Sequence, residues 1–138
     1  MRTIGNVLWL LLVGWHTALE WLLLGLLLCL PIVTVPFAIQ CFKIGAFSLW
    51  PFGLVAVRDP AVRGASVLGN ILWFLPGLFI ALVYFLGGVL LCLTVIGIPF
   101  GIQAFKLAGL ALVPFGRSIV PDAEARRRRG LAPGAIDR

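Results

Sequence analysis

Long apolar stretches alternate along this chain with shorter apolar segments that lie between prolines. Residues 4–30 contain one charged residue, Glu20, and one histidine, His16, and residues 67–99 contain no charged residue. Runs of 18 or more apolar residues predict helices that span a membrane. Helices over about 4–30 and 67–93 would each be roughly 40 Å long, which suffices to cross a hydrocarbon layer of about 30 Å with some tilt.

Each long apolar segment is followed by a shorter one. The first runs from Pro36 to Pro51 and the second from Pro99 to Pro114. About fifteen helical residues cover roughly 22 Å, which is short for a complete crossing. Each short segment is therefore expected to be either a tilted span or a re-entrant half-helix, and it forms a tight hairpin with the long helix before it.

The two halves of the chain carry the same polar signature. The phrase "VPFAIQCFKIGAFSLWPFG" at residues 35–53 returns as "IPFGIQAFKLAGLALVPFG" at residues 98–116, which is 63 positions later, and Asn6 returns as Asn70. Chance likeness would match leucine to leucine rather than Asn, Gln, Lys, Pro and Gly in order. The pattern predicts a tandem duplication. The predicted fold is an all-α integral membrane protein built from two helical hairpins, and we call the matching halves the first and second copy.

Arginines border the membrane segments on one side of the predicted hairpins. They are Arg2, Arg58, Arg63, Arg117 and residues 126–129. Because Lys and Arg are enriched on the cytoplasmic side, both termini are expected in the cytoplasm, with the copies parallel rather than inverted. The expected organisation is a hairpin over 4–57, a cytoplasmic linker over 58–66, a hairpin over 67–120 and a disordered basic tail over 121–138.

Composition narrows the function classes. The chain is 62% hydrophobic and 12% charged, whereas soluble domains carry about a quarter charged residues. One His and three scattered Cys give no metal-site spacing, and no nucleophile, base and orienting group occur together. We expect no enzyme activity, no metal and no cofactor. No basic surface with interleaved aromatic residues is present, so nucleic-acid binding is not expected.

Two lysines lie in the short apolar segments, at the same place in each copy. Lys43 and Lys106 follow Gln40 and Gln103 by three residues, so each glutamine shares a helix face with its lysine. An ionisable group inside a membrane costs about 2.5–3.5 kcal/mol on insertion scales, which makes these lysines candidates for function. Three interpretations are open: the ammonium groups reach lipid headgroups, form a structural clamp with a carboxylate, or line a pore or ion site.

Four further polar residues complete the candidate set. His16 and Glu20 lie four residues apart on one helix face, and Glu20 is expected at about the depth of Lys43. The second copy has apolar residues at the matching positions, so two lysines share one glutamate. Asn6 and Asn70 lie near the cytoplasmic helix ends, each three residues before a tryptophan. Helix capping with interfacial anchoring is the simpler explanation for these asparagines.

The doubled Pro-Phe-x-Ile-Gln-x-Phe-Lys … Pro-Phe-Gly phrase, together with the opening Met-Arg-Thr-Ile-Gly-Asn, resembles the YccF family of bacterial inner-membrane proteins. That family is built from two inner-membrane component domains. The resemblance covers about residues 1–120. It implies a bacterial inner-membrane location and a two-domain architecture, and nothing about activity.

The leading functional expectation is an oligomeric membrane pore or channel for small ions, with anions slightly favoured. Two hairpins are too few to enclose a pathway, so a homo-oligomer with cyclic symmetry, surrounded by membrane lipids, is expected. The alternative is a non-transporting scaffold or accessory subunit that binds another membrane protein. A secondary transporter is the third possibility.

Overall fold

The computed structural model describes residues 1–60 and 63–130. In this part of the chain most residues are helical, and two short strands form one sheet. A π-helical turn over Leu10–Gly14 joins the first two helices, and a 3-10 turn over Ile32–Thr34 precedes the third. The elements are α1 Arg2–Trp9, α2 Trp15–Leu28, α3 Val35–Leu49, β1 Leu54–Arg58, α4 Arg63–Cys92, α5 Ile98–Leu112, β2 Arg117–Pro121 and α6 Asp122–Arg128.

Three helical stretches of the described chain are long and apolar enough to cross a membrane. They are Arg2–Leu28, Ile32–Leu49 and Ser66–Cys92, while the apolar helix Ile98–Leu112 is shorter. The prediction of an all-α membrane protein is confirmed in that the chain is mostly helical with helices able to span a membrane, although it also contains a two-stranded sheet. Helix α2 packs on α3, and α4 packs on α5.

Small residues allow the helices of each hairpin to approach closely. A Cβ atom placed on Gly88 would lie 2.7 Å from the ring of Phe105, and one placed on Gly25 would collide with the ring of Phe42. These two pairs occupy matching positions, 63 residues apart. Close contact between small residues and neighbouring side chains is a main source of helix association in lipid.

The sheet is a feature that the sequence did not predict. Strands β1 and β2 are antiparallel, and their register pairs Leu54 with Pro121, Ala56 with Ile119 and Arg58 with Arg117. The sequence pattern instead places residues 54–57 in the first membrane hairpin. Each strand has only five residues, which is too short to show a clear alternation of apolar and polar positions. Each strand also pairs with a segment more than 55 residues away in the sequence.

The prediction of a disordered tail is wrong for residues 121–128. Pro121 ends β2, and α6 follows with Ala125 buried. An ion pair of 2.6 Å between Arg128 and Glu124 supports this helix, because residues four apart share a face. The tail beyond residue 130 lies outside the described residues. The linker is also shorter than expected, since α4 begins at Arg63.

The core lies between the two hairpins, near the sheet. Trp9 stacks on Phe100 with ring centroids 6.3 Å apart, and Trp73 stacks on Phe37 at 5.8 Å. Each tryptophan of one copy therefore contacts the matching phenylalanine of the other. Phe47, Ile44, Leu107 and Leu110 are fully buried in the same cluster.

Candidate functional site

The two lysines of the short helices reach across to the backbone of the opposite copy. The Lys43 ammonium, on α3, donates to the carbonyl oxygen of Arg117 at 3.0 Å and also to that of Pro114. The Lys106 ammonium, on α5, donates to the carbonyl oxygen of Leu54 at 3.3 Å. Leu54 and Arg117 begin the two strands and lie 63 residues apart. Each lysine therefore links its helix to the first residue of the other copy's strand.

The Pro-Phe-Gly corners, at residues 51–53 and 114–116, bring these carbonyls within reach of the lysines. After each short helix the chain turns sharply, and the glycines that complete the turns, Gly53 and Gly116, have φ angles of 91° and 73°. This left-handed conformation favours glycine, because it is strained for residues with a Cβ. The carbonyl oxygens of Pro114, Arg117 and Leu54 lie at these corners or directly after them, and an ammonium group supplies up to three donors.

The asparagines hold the same corners from the other side. Asn6 accepts a hydrogen bond from the Phe52 N–H at 2.9 Å and donates to the Phe52 carbonyl at 3.0 Å. Asn70 makes the matching pair of bonds with Phe115, at 3.0 and 3.1 Å. The capping interpretation of these asparagines is wrong. Each one instead clasps a Pro-Phe-Gly corner to the long helix, because its amide group offers one donor and one acceptor side by side.

The tryptophans that follow the asparagines add a further bond just before each corner. The Trp9 Nε1–H donates to the Ser48 carbonyl at 2.7 Å, and the Trp73 Nε1–H donates to the Ala111 carbonyl at 2.9 Å. Both acceptors lie near the ends of the short helices. The ends of the long and short helices are thus joined by polar side chains that bond to backbone.

His16 and Glu20 lie apart from this network. The two side chains are 3.8 Å apart on α2, and Glu20 is 73% exposed. Lys43 instead donates to carbonyl oxygens and to the Gln40 side chain. The structure therefore does not support the clamp with Glu20, which is one of the three interpretations of Lys43.

The two glutamines, Gln40 and Gln103, differ in their hydrogen bonds. Gln40 accepts a hydrogen bond from Lys43 through its Oε1 atom. Gln103 donates through Nε2 to the Pro99 carbonyl at 3.4 Å, and its buried Oε1 atom has no hydrogen-bond partner among the described residues. Gln103 is 6% exposed, so the second copy has an unused acceptor inside the helical core.

Sequence reasoning found the lysines, glutamines and asparagines but missed the backbone groups that the lysines and asparagines bind. The doubled Pro-Phe-Gly phrase was the available signal, since it repeats together with the polar side chains that bind it. Within the described residues no group of three or more His, Cys, Asp or Glu side chains is placed to hold a metal ion.

A mostly helical chain with three helices able to cross a membrane belongs to the class of integral membrane proteins. This chain is a member of the YccF family: the inner membrane component domain matches residues 4–54 and again 68–117. "Inner membrane protein YccF" of Escherichia coli (strain K12) is 37% identical to it, over 93% of this chain and 99% of the relative. The protein of the same description from Shigella flexneri matches equally. No solved structure matches.

Proposed function

We propose that this protein is a non-transporting scaffold or accessory subunit of the bacterial inner membrane. The observation that carries the proposal is the use of Lys43 and Lys106 as internal links between the two copies. A cation that lines an ion path must present its charge to the path. Lys43 instead directs its donors to Gln40 and to two backbone carbonyls of the same chain.

We further propose that the two copies are parallel tandem hairpins with both termini in the cytoplasm. The central pair of the sheet, Ala56 and Ile119, consists of matching positions of the two copies. The Asp59 N–H donates to the Gly116 carbonyl at 2.8 Å, and the Asp122 N–H donates to the Gly53 carbonyl at 3.0 Å, which are again matching pairs. This reciprocity supports a two-fold relation through the sheet. It favours two hairpins that both begin and end on the same side of the membrane.

The outer surface supports a role in binding within the membrane. Leu75 and Phe79 on α4 are 77% and 71% exposed, and Leu11 and Leu12 on the first long helix are 67% and 65% exposed. Side chains of this kind suit contact with lipid or with helices of another membrane protein. The proposed partners are therefore membrane lipids and a second membrane protein, and further copies of this chain would form a homo-oligomer.

A small-ion pore is the second candidate, and one observation favours it. The Gln103 Oε1 atom is buried without a partner among the described residues, three residues from Lys106. A buried acceptor of this kind carries a desolvation cost of about 1–3 kcal/mol, which a bound cation or a water in a hydrated path would reduce. Gln103 is accordingly the pore-site candidate that the geometry favours, ahead of the lysines.

Planar-bilayer recording in asymmetric chloride salt separates the two candidates. The scaffold proposal predicts no unitary current from wild-type protein whose insertion is verified by protease protection. It also predicts that a photocrosslinker at Phe79 yields one discrete adduct in cells, heavier than two copies of this chain. Unitary currents that Gln103→Leu abolishes would overturn the scaffold proposal and support the pore. A reversal potential that differs between wild type and Lys43→Ala/Lys106→Ala would show that the lysines line the ion path.

A further inference from the structure

A cavity of about 970 Å³ opens beside the sheet, where the end of α5 approaches the start of α4. Its wall is amphipathic. Helix α4 supplies an apolar side that continues onto the outer surface, where Val67 and Ile71 are 59% and 65% exposed. The sheet and the residues after it supply a polar side. The lining residues that matter here are Val67, Ile71 and Phe74, and Arg58, Asp59 and Arg117.

The polar side of the cavity brings two arginines together. Arg58 and Arg117 lie directly opposite each other in the antiparallel sheet, an arrangement that is unfavourable for like charges. Burial, and then the charge of Arg58, lower the pKa of Arg117. Asp59 also lines the cavity, and its Oδ2 atom accepts a hydrogen bond from the Ser118 hydroxyl at 3.1 Å.

No carboxylate of the described residues forms an ion pair with either arginine. The ion pairs found among the side chains that the structure describes join other groups, such as Arg2 with Asp122 and Arg128 with Glu124. An anion held between the two guanidinium groups would offset their repulsion. Guanidinium groups bind phosphate through paired hydrogen bonds, which makes phosphate the fitting anion.

The first copy explains why the cavity exists. There, Arg2 passes beside Gly53 and pairs with Asp122 at 3.3 Å. The residues at the matching positions, when the two copies are exchanged, are Ser66, Gly116 and Asp59. Ser66 and Gly116 both line the cavity. The short serine leaves open the space that an arginine fills in the first copy.

We propose that this cavity binds an anionic phospholipid, with the phosphate between Arg58 and Arg117 and an acyl chain along Val67, Ile71 and Phe74. The apolar wall favours a lipid over a water-soluble phosphate compound, because it belongs to the apolar stretch Ser66–Cys92. The cavity is also within the range of volumes typical of ligand sites. The lipid site is independent of the choice between scaffold and pore.

Native mass spectrometry of the full-length protein in neutral detergent tests this site. Phosphatidylglycerol is expected to stay bound in preference to phosphatidylcholine. Arg58→Gln/Arg117→Gln is expected to reduce bound phosphatidylglycerol by about tenfold or more, since two charge-assisted contacts are lost. Arg126→Gln/Arg127→Gln is the matched control. It removes the same charge from residues that do not line the cavity and is expected to leave binding unchanged.

Ser66→Arg separates a shaped site from general attraction to positive charge. It adds a cation, yet it is expected to reduce phosphatidylglycerol binding, because the new side chain would enter the cavity from the position that Arg2 occupies in the first copy. Thermal unfolding checks that this variant folds, and the paired glutamine variant decides the question if it does not. Equal binding of both lipids, or no loss in the paired glutamine variant, would overturn the proposal. Displacement of the lipid by millimolar inorganic phosphate would overturn it in favour of a soluble phosphate compound.

Discussion

At the scale of single residues, the lysines show how a charged group is accommodated in an apolar helix. Lys43 is half-buried, and its ammonium replaces lost water with the Gln40 side chain and two carbonyl oxygens. Lys106 has a single such bond among the described residues, at 3.3 Å. Hydrogen bonds to charged groups contribute about 1.5–3 kcal/mol each when buried. We therefore expect Lys43 to contribute more than Lys106 to the stability of the protein.

Replacing each lysine with methionine, which keeps the apolar stem, tests this difference. We expect Lys43→Met to lower the free energy of unfolding by about 2 kcal/mol and Lys106→Met by about half as much, because Lys43 makes more bonds, while the loss of each charge removes a desolvation cost that offsets part of the effect. Denaturant unfolding in mild detergent, followed by tryptophan fluorescence, measures both. A larger loss for Lys106→Met than for Lys43→Met would contradict this account.

The sequence identified which residues matter at this scale but not what they bind. A Lys, Gln or Asn that recurs at the same place in two apolar copies is conspicuous against leucine. The partners of the lysines and asparagines include carbonyl and N–H groups of Phe52, Leu54, Phe115 and Arg117, and every residue type carries a backbone carbonyl. Backbone partners leave no signature in sequence, so sequence reasoning points to Glu20, the carboxylate expected at a similar depth in the membrane, as the partner of Lys43.

At the scale of elements, the hairpins depend on glycine where a helix crosses its partner. Gly88 faces the ring of Phe105 and the carbonyl oxygen of Gly101, and a Cβ there would lie 2.7 and 3.1 Å from them. A Cβ on the adjacent Gly87 would meet no atom of the described residues within 4 Å. Substitutions at Gly87 and Gly88 therefore distinguish the effect of helix packing from the general effect of glycine on helix stability.

Gly88→Ala is expected to lower the free energy of unfolding by about 1–3 kcal/mol, since the added methyl must displace a ring packed against it. Gly87→Ala is the matched control, and it is expected to leave stability unchanged or slightly raised, because alanine favours helix over glycine. The same unfolding measurement in detergent compares the two. Equal effects of the two substitutions would contradict close packing at Gly88.

The helices could be predicted from sequence because long apolar runs have few alternatives in a membrane protein. The strands could not. Five residues of mixed character, such as "LVAVR" in β1, become a strand only because a partner from the other copy supplies the hydrogen bonds. The helix α6 was missed for a related reason, since Ala125 gains its buried contacts from the sheet, whose pairing the sequence does not reveal.

At the scale of the whole molecule, the doubled sequence carries most of what could be predicted. It indicated two hairpins and a likeness to the YccF family, and the family match is confirmed. It did not indicate how the hairpins meet. The sheet, the stacked pairs of Trp9 with Phe100 and Phe37 with Trp73, and the lysine links all join one copy to the other. These contacts form between segments that are far apart in sequence.

The orientation of the two hairpin tips tests the central claim most directly, namely that the copies are parallel and meet at a cytoplasmic sheet. Val33 and Ile96 occupy matching tip positions and are each 83% exposed. Single cysteines at these sites, in a chain whose three native cysteines are replaced by alanine, can be labelled with a membrane-impermeant maleimide in spheroplasts. We predict equal labelling of both tips from outside, and labelling of Arg126→Cys only after lysis. One tip reacting outside and the other only after lysis would show inverted copies and contradict the account.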